Sequence, residues 1–306
     1  MRRRQGGVAL ILVLWVVTLL AVIAGNFAFS MRSEAQISHN QMRAAQARGL
    51  ADAGAQRAWF ELMKPPAELQ RWKGDGFTHE WVLGDAVVRI TILDESGKID
   101  LNTASDALLK GLFKSVGVGE EASVALLDAI LDWRDQDKLR RLHGAEEDDY
   151  RAADKQYLPA NAPFETVSEL QQVQGMSAEL YRKLAPALTV YSRQAGVNAA
   201  VAPREVLRAI PGVNSEQVEQ FLQQRRDAIA SGQKAPPFAA TGAFLVSSVG
   251  LAGYSVRSEA RMDDGIVFIR EAVVRMAQDP RRPVVVLAWN EGENAPLLPM
   301  NAIANN

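Results

Sequence analysis

The chain has 306 residues, which is enough for one large or two small globular domains beside a membrane segment. Its formal net charge is −2, so no global electric field attracts nucleic acid or acidic lipid. It has no cysteine, which excludes disulfides and thiolate sites, so its stability must come from an apolar core or from bound metal.

The first predicted element is an apolar helix at residues 8–30, after a short basic leader at residues 1–7. Such a helix is about 34 Å long, enough to cross a hydrocarbon core of about 30 Å, and the basic leader predicts that the remainder is translocated. A cleaved signal peptide is the alternative, but its apolar region would be shorter and would end in a small-x-small cleavage site. The run instead continues into residues 31–64 with apolar residues at helical spacing, so we predict one helix, first membrane-spanning and then amphipathic.

Strand patterns lie on both sides of a helical block. Alternating residues at 80–83 and 86–93 flank Gly84-Asp85 and predict a hairpin, and further strands are predicted at 243–248, 254–262, 266–276 and 283–289. Two separate β pieces beside a helical domain are the alternative, but neither piece would bury a stable core. We therefore predict an α+β fold, in which the long N-terminal helix packs on one antiparallel sheet. A large α-helical domain at residues 99–235 is inserted between the two parts of the sheet domain, residues 65–98 and 236–306.

The helical block contains an internal repeat. Three segments, 102–121, 166–179 and 198–216, each predict a capped helix, a glycine-containing turn and a second helix. This pattern resembles the helix-hairpin-helix module, which often binds DNA phosphate. Residues 100–137, the first unit, carry three basic against eight acidic residues, whereas a phosphate-binding surface needs the opposite sign. We predict packing units and expect no nucleic acid. A membrane-anchored helix-hairpin-helix protein for DNA binding or uptake is the alternative function.

An acidic segment supplies the candidate metal ligands. They are Asp132, Asp135, Asp137, Glu146, Glu147 and Asp149. Clustered carboxylates in a loop suit Ca²⁺, which takes six to eight oxygen ligands. The segment lacks the full EF-hand pattern, so the residues alone also allow a solvated loop that nearby cations partly neutralise: Lys138, Arg140, Arg141 and Arg151. We find no catalytic arrangement, since the three histidines are isolated, and we predict that the protein is not an enzyme.

The N-terminus carries a specific resemblance. A basic leader that ends in Gly6-Gly7, followed by an apolar helix that begins VALIL, resembles type IV prepilins and pseudopilins. The resemblance implies cleavage by prepilin peptidase after Gly7 and methylation of the new N-terminus at Val8. Most such proteins have glutamate at the fifth mature position, where this chain has Leu12. In this departure the chain resembles the minor pseudopilin K family of type II secretion systems, which also lacks that glutamate.

The acidic segment also resembles that family. The Asp-Trp-x-Asp-x-Asp element at residues 132–137 and the Gly-Ala-Glu element that leads to Tyr150 are similar to family motifs, and the resemblance implies calcium binding there. Asp135, Asp137 and Glu146 fall on matching positions. Glu147 stands where the family has aspartate, and Asp132 and Asp149 are further candidates.

The resemblance implies a function as well. We expect a minor pseudopilin at the tip of the type II secretion pseudopilus, which initiates or caps the filament and supports export of folded proteins across the outer membrane. Expected partners are other minor pseudopilins of the I, J and H types, prepilin peptidase and the inner-membrane secretion assembly platform. The expected location is the bacterial inner membrane, with a single span and a periplasmic C-terminal domain.

Overall fold

The computed structural model describes residues 6–65, 68, 71–240, 242–247, 253–277, 279 and 281–292, with side chains from residue 9. Its first element is one unbroken helix, α1 (Gly6–Met63), followed by Pro65, which cannot donate the next helical hydrogen bond. The apolar side chains of its N-terminal half are exposed, whereas its C-terminal half buries a row of small residues against the sheet. That buried row is Ala47, Ala51, Ala55, Ala58 and Leu62.

The predicted sheet has five antiparallel strands: β1 (Asp75–Leu83), β2 (Ala86–Asp94), β5 (Gly253–Met262), β6 (Val267–Met276) and β7 (Val284–Glu291). They lie in the order β1-β2-β5-β6-β7. Residues alternate between the two faces of β2, so Val88, Ile90 and Ile92 are fully buried against α1 while the residues between them face outward. The predicted α+β class is therefore confirmed.

Between β2 and β5 the chain forms a mainly helical block with its own apolar core. Its α-helices are α2 (Asp106–Ser115), α3 (Glu120–Arg134), α4 (Glu147–Ala152), α5 (Ala178–Leu184), α6 (Arg204–Ala209) and α7 (Ser215–Ala230). Short 3₁₀ turns lie at Glu95–Gly97, Val167–Gln172, Ala185–Ala187 and Gly242–Phe244. The block also contains a short parallel pair, β3 (Ile99–Asp100) with β4 (Leu188–Thr189), which the sequence patterns did not predict.

The three predicted turn glycines share one conformation. Gly117 lies between α2 and α3, Gly175 precedes α5, and Gly212 lies between α6 and α7. Their φ angles are 89°, 86° and 80°, in the left-handed region that side chains with a Cβ rarely adopt. Each predicted unit is therefore a helix, a glycine turn and a second helix. The second unit begins with a 3₁₀ helix instead of an α-helix.

The strand predicted at residues 243–248 is wrong. In its place are the 3₁₀ turn Gly242–Phe244 and a single bridge between Leu245 and Val197. Residue 248 lies outside the described residues. Phe244 and Leu245 pack on the helical core, as does Phe238. The composition of this apolar run predicts a strand, but its side chains pack on the helical core instead.

Candidate functional site

Two buried aromatic side chains pack together where the acidic segment begins and ends. Trp133 closes α3 and Tyr150 lies on α4, and their ring centroids are 5.9 Å apart. Both rings are at least 98% buried, and the Tyr150 hydroxyl accepts a hydrogen bond from the backbone N–H of Gln174 at 2.9 Å. The carboxylates on either side of these rings are therefore fixed to the helical core and do not lie in a free loop.

Asp132 is the most buried carboxylate of the segment, with no exposed surface. It accepts the backbone N–H of Arg141, at 3.2 Å from Oδ2. The loop passes so close that a Cβ at Gly144 would lie 2.0 Å from the same Oδ2 atom. A glycine is therefore required at residue 144 to let the chain cross Asp132.

Repulsion links four of the six predicted ligands, here termed the facing carboxylates, because Glu146 lies near enough to the other three to be repelled by them: Asp132, Asp135, Asp137 and Glu146. Burial raises the pKa of three of their carboxyls, and repulsion among the carboxylates raises the pKa further. Those three are Asp132, Asp135 and Glu146. Within the described part of the chain, Asp135 Oδ1 and both side-chain oxygens of Glu146 are buried without a hydrogen-bond partner. Such orphaned oxygens are costly unless a cation or a donor satisfies them.

The other two predicted ligands are turned toward cations of the loop and of α4. Glu147 forms ion pairs with Arg151 and, at 3.3 Å, with Lys138. Asp149 lies 2.9 Å from Arg140 and accepts the backbone N–H of Glu146 at 3.0 Å. That backbone hydrogen bond, with help from Arg140, lowers the pKa of the Asp149 carboxyl. The structure therefore separates this pair from the facing four.

The chemistry of the facing carboxylates fits a hard cation, because their unsatisfied atoms are all oxygens and their charges repel. Among the residues that the structure describes, no three acidic or histidine side chains already surround one point as metal ligands would. The calcium site therefore stays a prediction. A bound Ca²⁺ would be held by carboxylates among Asp132, Asp135, Asp137 and Glu146 and would supply positive charge there.

The predicted processing positions lie at the start of α1. Gly7 and Val8 belong to the helix, but the Val8 side chain and all of residues 1–5 lie outside the described residues, so processing stays a prediction. Leu12 is 62% exposed in the apolar part of α1. By length and composition, α1 is apolar enough to cross a membrane, which is compatible with a single-pass anchor.

Sequence reasoning missed one cation that joins α1 to the sheet. Arg43 contacts Asp85 in the first hairpin turn at 2.7 Å, and in the turn between β5 and β6 it contacts Asp264 at 2.7 Å and Asp263. Its guanidinium therefore holds both turns at the same end of the sheet. The sequence does contain a hint of this contact, since both predicted turns carry aspartate and the predicted helix carries arginine.

Comparisons with known proteins show which chains this one is similar to. A family model described as type II secretion system (T2SS), protein K, matches residues 90–193, which contain the whole acidic segment. Type II secretion system protein K of Klebsiella pneumoniae is 29% identical over 232 residues, covering 68% of this chain and 71% of the relative. The same-named protein of Pseudomonas aeruginosa is 29% identical over 246 residues, with 74% of each chain covered.

A solved structure shows the same fold. It is the crystal structure of the GspK-GspI-GspJ complex from the enterotoxigenic Escherichia coli type 2 secretion system. The match has a TM-score of 0.58 at 18% identity and covers 84% of this chain and 99% of the matched chain. Together, these comparisons confirm that the chain resembles the type II secretion system protein K family.

Proposed function

We propose that the protein is a minor pseudopilin at the tip of the type II secretion pseudopilus, where it initiates or caps the filament and supports export of folded proteins. The observation that carries the proposal is α1, one helix with an exposed apolar half and a half packed on the sheet. A filament subunit needs this arrangement, because the apolar half packs first in the inner membrane and then among other subunits. The role is structural, without a catalytic step.

Leu12 supports a place at the tip. In related pilins the fifth-position glutamate neutralises the N-terminal amine of an adjacent subunit inside an apolar helix bundle, where an unpaired charge costs several kcal/mol. Leu12 offers no such partner to a subunit above it. The helical block between β2 and β5 would also obstruct stacking of a further subunit.

The proposed partners are minor pseudopilins of the I, J and H types, and the solved GspK-GspI-GspJ complex supports the I and J types among them. We expect α1 to supply most of the contact, since Ile37 and Met42 are exposed apolar residues on its C-terminal half. The inner-membrane assembly platform would receive the same helix before the filament grows.

Co-purification of the full chain in detergent with I-type and J-type partners tests this assignment. Ile37→Glu should abolish the complex, whereas Val82→Glu, which changes an equally apolar and 69% exposed residue on β1, should leave it intact. Filaments formed by this chain alone would overturn the proposal. So would a complex that survives Ile37→Glu and is lost with Val82→Glu.

Processing by prepilin peptidase follows from the same proposal. A small residue before the cleaved bond lets the peptidase approach the backbone closely, so Gly7→Leu should block maturation. Mass spectrometry of the membrane-extracted protein should then find an N-methylated Val8 in the wild type and an intact leader in the variant. An intact Met1 in assembled wild-type material would contradict this step.

We also propose that calcium binds the facing carboxylates, supported by the orphaned oxygens of Asp135 and Glu146. At a free concentration one hundred times its Kd, a ligand stabilises the folded state by about 2.7 kcal/mol. Ca²⁺ should therefore raise the melting temperature of the full chain, and combining Asp135→Asn with Asp137→Asn should remove the gain. Asp148→Asn is the matched control, because Asp148 is exposed in the same segment. An unchanged melting temperature with chelator and with Ca²⁺ would indicate a merely solvated loop.

DNA uptake is the rival class that the glycine turns suggested. The acidic charge of the first unit disfavours it, and we expect no nucleic acid among the partners. A duplex-DNA titration at low salt should show no saturable binding by the full chain. Saturable binding that weakens steeply with salt would favour the rival.

A further inference from the structure

Arg141 occupies the mouth of the acidic site. Its Nε atom lies 3.3 Å from Asp132 Oδ1, and its Nη2 atom lies 3.3 Å from Asp135 Oδ2. One guanidinium thus bridges two different carboxylates, as a divalent cation does. Both contacts are longer than the 2.7–2.9 Å typical of charge-assisted hydrogen bonds, so the bridge is loose.

The bridge also leaves the site incompletely neutralised. Arg141 brings one positive charge to the facing carboxylates and Arg134 acts as a second near Asp135, yet three oxygens remain buried without a partner among the described residues: Asp135 Oδ1, Glu146 Oε1 and Glu146 Oε2. Glu146 is only 6% exposed, so water cannot freely satisfy its carboxylate. The carboxylates are therefore not fully neutralised even when Arg141 is in place.

Arg141 is free to leave without unfolding the loop. Its side chain is 44% exposed, whereas its backbone N–H is held separately by Asp132. Rotation of the side chain into solvent therefore breaks the two long contacts and keeps the loop attached to α3.

We propose that Arg141 is a tethered, displaceable counter-cation of Asp132 and Asp135, and that it competes with a divalent cation for these carboxylates. The inference rests on the proposed calcium function and adds its regulation: Arg141 lowers the affinity of the site for metal and partly neutralises Asp132 and Asp135 in the metal-free head. The metal-free chain is then destabilised less than it would be if these carboxylates had no counter-cation.

Calorimetric titration of the full chain in detergent with CaCl₂ tests this inference. Arg141→Gln should tighten calcium binding by about threefold to fivefold, the upper part of the range expected from removal of a half-exposed ion pair. Arg140→Gln is the matched control, because it removes the same charge from the neighbouring residue, and Arg140 contacts Asp149 instead. It should change the affinity by less than about twofold, since solvent screens exposed charges.

Thermal unfolding with and without chelator is the second measurement. Arg141→Gln should lower the melting temperature of the metal-free protein and enlarge the gain on adding CaCl₂. Arg141→Lys, which keeps the charge but cannot bridge two carboxylates as a planar fork does, should give an intermediate calcium affinity. This variant keeps the inference testable where Arg141→Gln does not fold without metal.

The outcomes separate the two proposals. If neither the wild type nor Arg141→Gln binds calcium, the calcium function itself fails. If calcium binds the wild type, Arg141→Gln and Arg140→Gln with equal affinity, the calcium function stands and the competition by Arg141 is overturned. Equal tightening by both glutamine variants would also overturn it, because the effect would then be general loop charge.

Discussion

Gly54 lies where α1 approaches the sheet closely, and its replacement by alanine tests that packing directly. A Cβ at residue 54 would lie 2.2 Å from Ser258 Oγ and 2.7 Å from Val88 Cγ1. Both neighbours are fully buried, so neither can move aside without disturbing the core between α1 and the sheet. At Gly49, on the same helix, an added Cβ would meet nothing within 4 Å.

Comparing the two glycines separates the steric cost of an added Cβ from the effect of alanine on helix propensity. Alanine is favoured over glycine in a helix interior by about 1 kcal/mol at either position. Overpacking a well-packed core costs about 1–3 kcal/mol. Gly49→Ala should therefore stabilise the head. The free energy of unfolding of Gly54→Ala should be about 1–3 kcal/mol lower than that of Gly49→Ala, because only Gly54→Ala overpacks the core.

Thermal unfolding of the full chain in detergent, followed by near-UV circular dichroism, measures the difference. For a domain of this size, 1 kcal/mol corresponds to about 2–4 °C in Tm, so Gly54→Ala should melt at least about 2 °C below Gly49→Ala. Equal upward shifts in both variants would refute the close packing of α1 on the sheet.

Three further predictions concern other contacts. Burial lowers the pKa of His79 from its ordinary 6.5, so the stability from its neutral form is complete above about pH 6.5 and is lost as the pH falls through the folded pKa. His79→Phe should remove this pH dependence in urea titrations between pH 7.5 and 5. Gly111→Ala would place a methyl group 1.9 Å from the Ala209 carbonyl oxygen and should destabilise the helical block by about 1–3 kcal/mol, measured by denaturant unfolding. Arg43→Gln should lower Tm more than Arg48→Gln, because Arg43 contacts three carboxylates and Arg48 contacts one.

Local patterns in the sequence were enough for the elements whose cause is local. The unbroken α1 follows from continuous apolar and alanine-rich helix formers up to the prolines after Met63. The inner face of β2 follows from strict alternation, and the turn glycines follow from their need for positive φ. The grouping of the acidic residues was also predicted, because they lie close together in the chain.

Only the tertiary structure decided which partners these segments take. β3 and β4 are far apart in sequence and pair only because the helical block folds between them. The apolar run at 243–248 has strand composition, yet its first part packs on the helical core, because burial is non-directional and the nearest apolar surface satisfies it.

The candidate site divides in the same way. Which residues carry the carboxylates could be predicted from the sequence, but not which cation each of them faces. The fold directs Glu147 and Asp149 to cations of the loop and places Arg141 over Asp132 and Asp135. Local propensity contains no information about such pairings, because they depend on how α3, the loop and α4 cross in space. Charge and periodicity are thus properties of the sequence, whereas the balance of each buried charge is a property of the fold.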